Sequence, residues 1–294
     1  MAAPTSAPPA PAVPTRQPLR NRKGLAHVVL ILLLVVALYP IVYMFGTSLK
    51  SPQEILSNVN VLPEHLTPGN YVEGWSGVPG ITFGRFFLNS AVVAIGVVVG
   101  NVVACALAAY AFARLRFPLR GFWFALMIGT LLLPHHVLIV PQYVLFNWLG
   151  WINSPLPLIV PKFLATEAFF VFLMVQFMRG IPRTLDEAAE IDGCGPYRRF
   201  FHVVLPLTRP ALVTTAVFSF IWTWNDFFSQ LVYLNELDRY TVPIGLRLFL
   251  DSSGQSAIGP MFAMSVLSLV PVFLFFLFFQ RLIVEGINTS GIKG

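Results

Sequence analysis

The sequence predicts an all-α polytopic membrane protein with six transmembrane helices. Of its 294 residues, 56% are hydrophobic and only 11% are charged, whereas soluble domains carry about 25% charged residues. The apolar residues fall into six runs, each close to the ~20 residues that a helix needs to cross the hydrocarbon core. Because backbone polar groups must be satisfied inside lipid, we expect these runs to be helices.

A Pro/Ala-rich arm, residues 1–24, precedes the first span and ends in a group of four basic residues. Proline at this density prevents regular helix or sheet, so we predict a disordered arm with a basic anchor at the membrane surface. The transmembrane domain follows over residues 25–283, and residues 284–294 form a tail. We place the spans at residues 25–48, 86–112, 121–145, 155–178, 210–231 and 260–283.

The basic residues indicate which side of the membrane each loop occupies. Fourteen of the nineteen Lys and Arg residues lie in the arm, the 2/3 loop, the 4/5 loop and the tail. The positive-inside rule therefore predicts that both termini and the 4/5 loop are cytoplasmic. An even number of spans agrees with this orientation. Basic residues scattered at span edges also argue against a nucleic-acid surface.

Within the 4/5 loop, residues 184–206, hereafter the polar loop, carry charge of both signs between two apolar runs. Thr184 and Glu187 fit a capping box at the start of a short helix. Asp186 and Glu187 in its first turn suit the helix dipole, and Gly193 supplies a stop. The sequence therefore predicts a short helix with a glycine corner at its end.

A second short helix follows the glycine corner. Pro196 suits its first turn, and the pair Leu205-Pro206 is expected to end it before the fifth span. The polar loop is thus predicted to be two short helices that lie along the cytoplasmic face.

The polar loop resembles the EAA motif of ABC-importer permease subunits. The resemblance rests on Glu187-Ala188-Ala189, on Gly193 four residues later, and on Val203-Val204-Leu205-Pro206. The family motif has Ile where Val203 stands here, which is a mild departure. Spacing and position between the fourth and fifth spans make the resemblance specific.

Other stretches resemble the sugar-uptake permeases of the maltose-permease type, so that the likeness covers residues 25–294. The six spans and the glycine-rich end match the shorter, G-type partner of the usual heterodimer. The stretches are Thr47-Ser48-Leu49-Lys50, Asn70-Tyr71, Asn89-Ser90, residues 108–114, Trp224-Asn225-Asp226-Phe227 and Gly291-Ile292-Lys293-Gly294.

This resemblance implies the type I ABC importer permease fold, with a coupling helix that inserts into a cleft of a separate ATP-binding subunit. The implied partners are a homologous permease, two ATP-binding subunits and an extracytoplasmic solute-binding protein. The implied ATPase-coupling residues are Glu187, Ala188, Ala189, Asp192, Gly193, Leu205 and Pro206. The tail residues implied to contact the ATPase are Gly291, Lys293 and Gly294.

Several kinds of chemistry have no signal in the sequence. A Gly-x-x-x-x-Gly-Lys-Ser/Thr phosphate loop is missing, so we expect ATP and Mg²⁺ to bind a partner subunit. No His/Cys cluster indicates a metal site, and no Ser/His/Asp spacing indicates a catalytic triad. We therefore expect a transport subunit that is not an enzyme and holds no cofactor.

The fifth span contains the candidate translocation-pathway residues Trp222, Asn225 and Asp226. Ionisable groups are costly in lipid and are functional candidates by default. An indole ring beside an amide and a carboxylate suits a sugar, whose faces stack on aromatic rings and whose hydroxyls need hydrogen-bonding partners. The alternative is that these polar groups form interhelical hydrogen bonds that hold the bundle together.

Other spans contain polar or helix-breaking residues with simpler expected roles. Lys162 and Glu167 in the fourth span are five residues apart, which is a poor spacing for an ion pair on a helix. We therefore expect packing or a water-facing cavity there. Pro134 and Pro141 predict a kink or break in the third span, and Asn101 is expected to join two helices.

The expected function is that of a permease subunit of an ATP-driven carbohydrate importer in the cytoplasmic membrane, forming half of a pathway with alternating access. A non-sugar solute such as a glycerol phosphate ester is one alternative. An ion-coupled secondary transporter is another alternative, although the two carboxylates Asp226 and Glu167 are few for a proton or sodium relay. A membrane enzyme would need a polar catalytic cluster, and the sequence shows none.

Overall fold

The structure, a computed structural model, describes residues 20–77, 80–251 and 257–290, and its regular structure there is helical, as predicted. Most of the arm and the tail residues Gly291, Lys293 and Gly294 lie outside the described residues. The α-helices are α1 (Arg20–Ser48), α2 (Pro52–Ser57), α3 (Gly69–Ser76), α4 (Phe83–Arg114), α5 (Arg120–Thr130), α6 (His135–Trp148), α7 (Leu156–Ile159), α8 (Ala168–Gly180), α9 (Arg183–Ile191), α10 (Pro196–Arg199), α11 (Leu205–Leu207), α12 (Arg209–Asn225), α13 (Phe228–Tyr233), α14 (Val242–Asp251) and α15 (Ile258–Ser290).

Four described stretches are long and apolar enough to cross a membrane, and they correspond to the first, second, fourth and sixth predicted spans. They are Ala26–Ser48, Phe83–Arg114, Leu156–Gly180 and Ile258–Leu282. The pair Pro196–Leu207 and Arg209–Asn225, bent by 74°, gives a fifth if it is counted as one span. The last helix, α15, continues beyond the predicted end of the sixth span, to Ser290.

Helix α4 lies at the centre of the bundle, where it contacts α8, α12 and the 3₁₀ segment Val160–Leu164. Gly96 and Gly100 of α4 allow the segment just before α8, which contains Ile159 and Phe163, to approach α4 closely. A Cβ on Gly96 would lie 2.8 Å from Ile159, and one on Gly100 would lie 2.9 Å from the Phe163 ring. This Gly-x-x-x-Gly arrangement is typical of tightly packed membrane helices.

A hydrogen bond between Asn101 and Ser219 joins α4 to α12. The Asn101 Nδ2 donates to the Ser219 Oγ at 3.0 Å, and both side chains are buried. The expectation that Asn101 links two helices is confirmed.

The third predicted span is broken, as its prolines predicted. Helix α5 ends at Thr130 and α6 begins at His135, with Pro134 in an extended conformation between them. Pro141 lies within α6. Proline has no N–H to donate and disfavours a helical conformation in the residue before it, so one continuous helix cannot run through Pro134.

The fourth predicted span is also interrupted, and this corrects the expectation for Lys162 and Glu167. The 3₁₀ segment ends at Leu164, Ala165 has a φ of +54°, and α8 begins only at Ala168. Across this break the Lys162 ammonium and the Glu167 carboxylate form an ion pair. The expectation that spacing prevents the pair was wrong because it assumed an unbroken helix.

The fifth predicted span, residues 210–231, is not continuous either. Helix α12 ends at Asn225, and Asp226 has an extended backbone before α13 begins at Phe228. The Asp226 Oδ1 accepts a hydrogen bond from the Ser229 N–H, in the first turn of α13, at 3.1 Å. Asp226 therefore lies at a helix break within the span and not inside a helix.

Candidate functional site

The first helix of the polar loop, α9, begins two residues earlier than the predicted N-cap at Thr184 implied. It spans Arg183–Ile191, its N-cap position is Pro182, and no side chain caps it. Thr184 lies inside the helix, so the predicted capping box of Thr184 and Glu187 is wrong. Pro182 leads the chain into the helix from an extended conformation, which moves Thr184 past the position where its hydroxyl would reach a free N–H.

The end of α9 confirms the glycine corner. Gly193 has a φ of +78°. Its N–H donates to the Glu190 carbonyl at 3.0 Å, and the Cys194 N–H donates to the Ala189 carbonyl at 2.8 Å. This pair of bonds is a Schellman motif that satisfies the last carbonyls of the helix. A Cβ at Gly193 would meet nothing within 4 Å, so the backbone angle is what favours glycine there.

A buried ion pair holds α9 against the end of α4. The Arg114 Nε lies 3.1 Å from the Asp186 carboxylate, and the two side chains are 6% and 12% exposed. The Arg114 Nη2 also donates to the Ile181 carbonyl at 2.9 Å. Asp186 thus faces the bundle, and one turn of α9 is fixed to the end of α4.

The second helix of the polar loop begins as predicted but ends later. Pro196 lies in the first turn of α10, and the helix continues through the π-helical segment Phe200–Val204, which is wider than an α-helix, into α11. The expectation that Leu205-Pro206 ends the helix was wrong, because it continues to Leu207. The Leu205 N–H bonds the Phe200 carbonyl in this wide turn, and such a turn leaves room for a proline ring that would clash in a regular α-helix.

The second helix packs into the bundle and is also joined to α9. Phe200 is buried with its ring 4.9 Å from that of Tyr110 in α4, and the Tyr110 hydroxyl donates to the Pro196 carbonyl at 2.9 Å. The Arg199 Nη1 donates to the Glu190 carboxylate at 3.0 Å. Burial lowers the pKa of Arg199, but its interactions with Glu190 and Tyr110 outweigh that effect and raise the pKa.

The opposite face of the polar loop is exposed and partly apolar. Ile191 is 87% exposed and Tyr197 is 83% exposed. Among the predicted coupling residues, Ala189 is buried and Leu205 is half-buried. The exposed ones are Glu187, Ala188, Asp192, Gly193 and Pro206. The structure therefore places most of the predicted coupling residues at the surface of a rigid loop.

The predicted pathway residues lie at or near the end of α12, with different surroundings. Trp222 is 48% exposed and stacks on Phe170 with ring centroids 5.2 Å apart. Asn225 is exposed, and its Nδ2 donates to the Ile221 carbonyl of its own helix at 2.8 Å. Within the described chain, neither Asn225 nor Asp226 forms a side-chain hydrogen bond to another span. The alternative of interhelical hydrogen bonding is therefore not supported for these two.

Sequence reasoning missed the residues that hold the polar loop in place. Arg114 belongs to a stretch that resembles the family, but the sequence alone indicates only a basic residue at the end of a span. Tyr110 lies in the same stretch, but no sequence signal indicates its contact with the polar loop, and Arg199 has no recognisable signal. The Gly96-x-x-x-Gly100 pattern was visible in the sequence and could have predicted the close approach of the fourth span to the second.

In the described residues the chain is a helical bundle whose polar loop is a pair of anchored helices, which is the arrangement expected of an importer permease. Residues 96–288 match the family model described as "Binding-protein-dependent transport system inner membrane component". The chain belongs to this family, and the resemblance to ABC-importer permease subunits is confirmed.

Known relatives and one solved structure are similar over nearly the whole chain. The diacetylchitobiose uptake system permease protein NgcG of Streptomyces coelicolor is 32% identical, over 92% of this chain and 88% of that protein. The sn-glycerol-3-phosphate transport system permease protein UgpE of Brucella abortus is 33% identical, over 92% of this chain and 97% of that protein. A crystal structure of a bacterial ABC transporter involved in import of the acidic polysaccharide alginate matches with a TM-score of 0.77 and 22% identity, covering 92% of this chain and 99% of that one, which shows the type I permease fold.

Proposed function

We propose that this chain is the membrane-spanning permease subunit of an ATP-driven carbohydrate importer. The name of the diacetylchitobiose relative supports a carbohydrate as the solute. The excess of basic residues in the arm, the 2/3 loop and the polar loop supports a cytoplasmic position for both termini and the polar loop.

The observation that carries the proposal is the orientation of α9. The buried pair of Arg114 and Asp186 fixes one face of this helix to α4, while Glu187, Ala188 and Ile191 are exposed on the other side. A partner that binds the exposed side pushes on a rigid element and not on a flexible loop. Closure of an ATP-binding subunit would then move the spans as a body.

The partners in this proposal are a homologous permease, two ATP-binding subunits and an extracytoplasmic solute-binding protein. The homologous permease would cover polar groups that this chain alone leaves exposed within the membrane, among them Asn225 and the partly exposed pair of Lys162 and Glu167. Such groups are costly when they face lipid. ATP and Mg²⁺ would bind the ATP-binding subunits, and Gly291, Lys293 and Gly294 of the tail would contact them.

The solute would pass the face that carries Trp222, Asn225 and Asp226. The exposed indole of Trp222 offers an apolar surface for a sugar ring, and the Asn225 amide keeps hydrogen-bonding capacity beyond its own helix. A glycerol phosphate ester is the second candidate, because UgpE is equally similar. An anionic ester favours an unpaired cation in the pathway, whereas Lys162 is paired with Glu167, so a neutral carbohydrate is favoured.

Reconstitution of the complete complex in proteoliposomes tests the proposal. Neutral oligosaccharides and glycerol 3-phosphate are supplied separately with the cognate binding protein, and ATP-dependent uptake is measured. Oligosaccharide uptake that needs ATP and all partners supports the function. Uptake of glycerol 3-phosphate without uptake of oligosaccharide would show that the solute is a glycerol phosphate ester. Uptake by this chain alone, driven by an ion gradient, would contradict the proposal.

A further inference from the structure

A basic cavity of about 430 Å³ lies beside the polar loop, at the junction of α4, α5 and α9. Four arginines and one aromatic residue line it: Arg114, Arg116, Phe117, Arg120 and Arg183. The cavity does not include the exposed residues that the proposed function assigns to the ATPase. It therefore needs an explanation of its own.

The charge of this cavity is mostly uncompensated. Arg114 is paired with Asp186, and in the described part of the chain the Arg120 Nη1 donates to the Leu115 carbonyl, at 3.1 Å. Among the described residues, Arg116 and Arg183 take part in no ion pair. Three guanidinium groups thus share one small space without a carboxylate partner.

The nearby carboxylates line a different cavity. A neighbouring cavity of about 440 Å³ shares three arginines with the first and contains Asp186, Glu187 and Glu190. Asp186 is committed to Arg114, and Glu190 is bonded to Arg199 with 70% of its side chain exposed. Glu187 also lines the second cavity and is exposed. The first cavity is lined by no carboxylate, so it is the one that attracts an anion.

The position of the cavity indicates which anion reaches it. Arg114 is the last residue of a stretch that is long and apolar enough to cross a membrane, so we infer that the cavity lies near the headgroups at the end of the second span. Leu119, just before the following helix α5, is 68% exposed, and Phe122 and Trp123 within α5 are 57% and 48% exposed. Tryptophan is typical of the membrane interface, and an acyl chain can lie along this surface while its headgroup enters the cavity.

We propose that this cavity binds the phosphate group of an anionic phospholipid. Guanidinium groups bind phosphate oxygens through two parallel hydrogen bonds, and basic pockets between membrane helices bind anionic headgroups. The bound phosphate neutralises the repulsion between Arg183 of α9 and the pair Arg116 and Arg120. It thereby holds the proposed coupling helix against the end of α4 and makes its position depend on the lipid.

Lipid binding can be measured without any transport assay, so the test is separate from that of the proposed function. The purified complex is titrated with phosphatidylglycerol or phosphatidylcholine and bound lipid is counted by native mass spectrometry. The double variant Arg116→Gln/Arg120→Gln is expected to bind phosphatidylglycerol about 30-fold more weakly, with phosphatidylcholine unchanged. Arg281→Gln removes a charge from an exposed position outside the cavity and is expected to bind like the wild type.

Three results would overturn the proposal. Equal phosphatidylglycerol affinity in the double variant and in Arg281→Gln contradicts the site. Loss of the ATP-binding subunits from the double variant with lipid binding intact shows that the cavity docks a protein. Saturable binding of radiolabelled orthophosphate in phosphatidylcholine nanodiscs, abolished by the double variant without any phosphatidylglycerol effect, shows a site for soluble phosphate instead. An unchanged thermal midpoint of the double variant excludes unfolding as the cause of lost lipid.

Discussion

The carboxylate of Asp186 lies 3.1 Å from the Arg114 Nε, with both side chains almost fully buried. One residue belongs to the polar loop and the other ends a membrane span. The pair therefore ties the helix that is proposed to meet the ATPase to the helix at the centre of the bundle. It also determines which face of α9 remains exposed.

Replacing Asp186 is expected to uncouple the complex. The variant Asp186→Asn leaves the Arg114 guanidinium buried without its counter-charge, which costs about 3–5 kcal/mol at a buried pair. We expect ATP-driven uptake to fall at least tenfold. Glu190→Gln is the matched control, because its carboxylate is 70% exposed and loss of such a pair costs at most about 1 kcal/mol. Equal uptake by both variants would contradict the anchoring role.

The corner at Gly193 is expected to tolerate Asn better than Ala. With a φ of +78°, an alanine costs about 1–2 kcal/mol, whereas asparagine adopts this conformation more readily. Uptake should therefore rank wild type, Gly193→Asn, Gly193→Ala. Gly195→Ala is the control, since Gly195 has a φ of −68° and open space around it. A Gly195→Ala defect as large as that of Gly193→Ala would argue against the backbone explanation.

Thr184 is expected to contribute little to stability, because it does not cap α9. We predict that Thr184→Ala changes the stability of the purified complex by no more than about 0.5 kcal/mol. Ser51→Ala is the comparison, because the Ser51 Oγ accepts the Glu54 N–H at 3.3 Å and does cap α2. Loss of such a cap costs about 1 kcal/mol. Thermal denaturation of the two variants checks this prediction. A larger loss of stability for Thr184→Ala than for Ser51→Ala would show that Thr184 does cap α9.

The stability of the protein is expected to depend on the size of the side chain at position 100. Even a Cβ there would lie 2.9 Å from the Phe163 ring, so Gly100→Val forces the 3₁₀ segment away from α4 at a cost of about 1–3 kcal/mol. Gly129→Val adds the same atoms at a position with nothing within 4 Å. We expect the thermal midpoint to fall only for Gly100→Val, and parallel behaviour of the two variants would rule out a specific packing effect.

Features that depend on local signals were predictable from the sequence. Long apolar runs form helices in a membrane because their backbone groups must bond to one another. Pro134 interrupts the third span because it has no N–H to donate. Gly193 ends α9 because its backbone can adopt a positive φ. The exposure of Glu187 and Ala188 agrees with their place in the resembled motif.

Features that depend on tertiary contacts were not predictable. The break around Ala165 has no proline or glycine at the turn itself, so neither it nor the ion pair of Lys162 and Glu167 follows from spacing. Arg114 and Asp186 meet only because α4 and α9 pack together. Such pairings depend on positions far apart in the chain, and local pattern carries no information about them.

Photo-crosslinking from position 191 tests the central claim most directly. Ile191 is the most exposed large apolar residue of α9, at 87%, and the account places it against the ATP-binding subunit. A photoreactive amino acid at this position in the complete, ATP-hydrolysing complex should crosslink to that subunit, whereas the same group at Leu62, 73% exposed on the predicted opposite side of the membrane, should not. Absence of an adduct with the ATP-binding subunit at position 191 in an intact complex would contradict the coupling role of the polar loop.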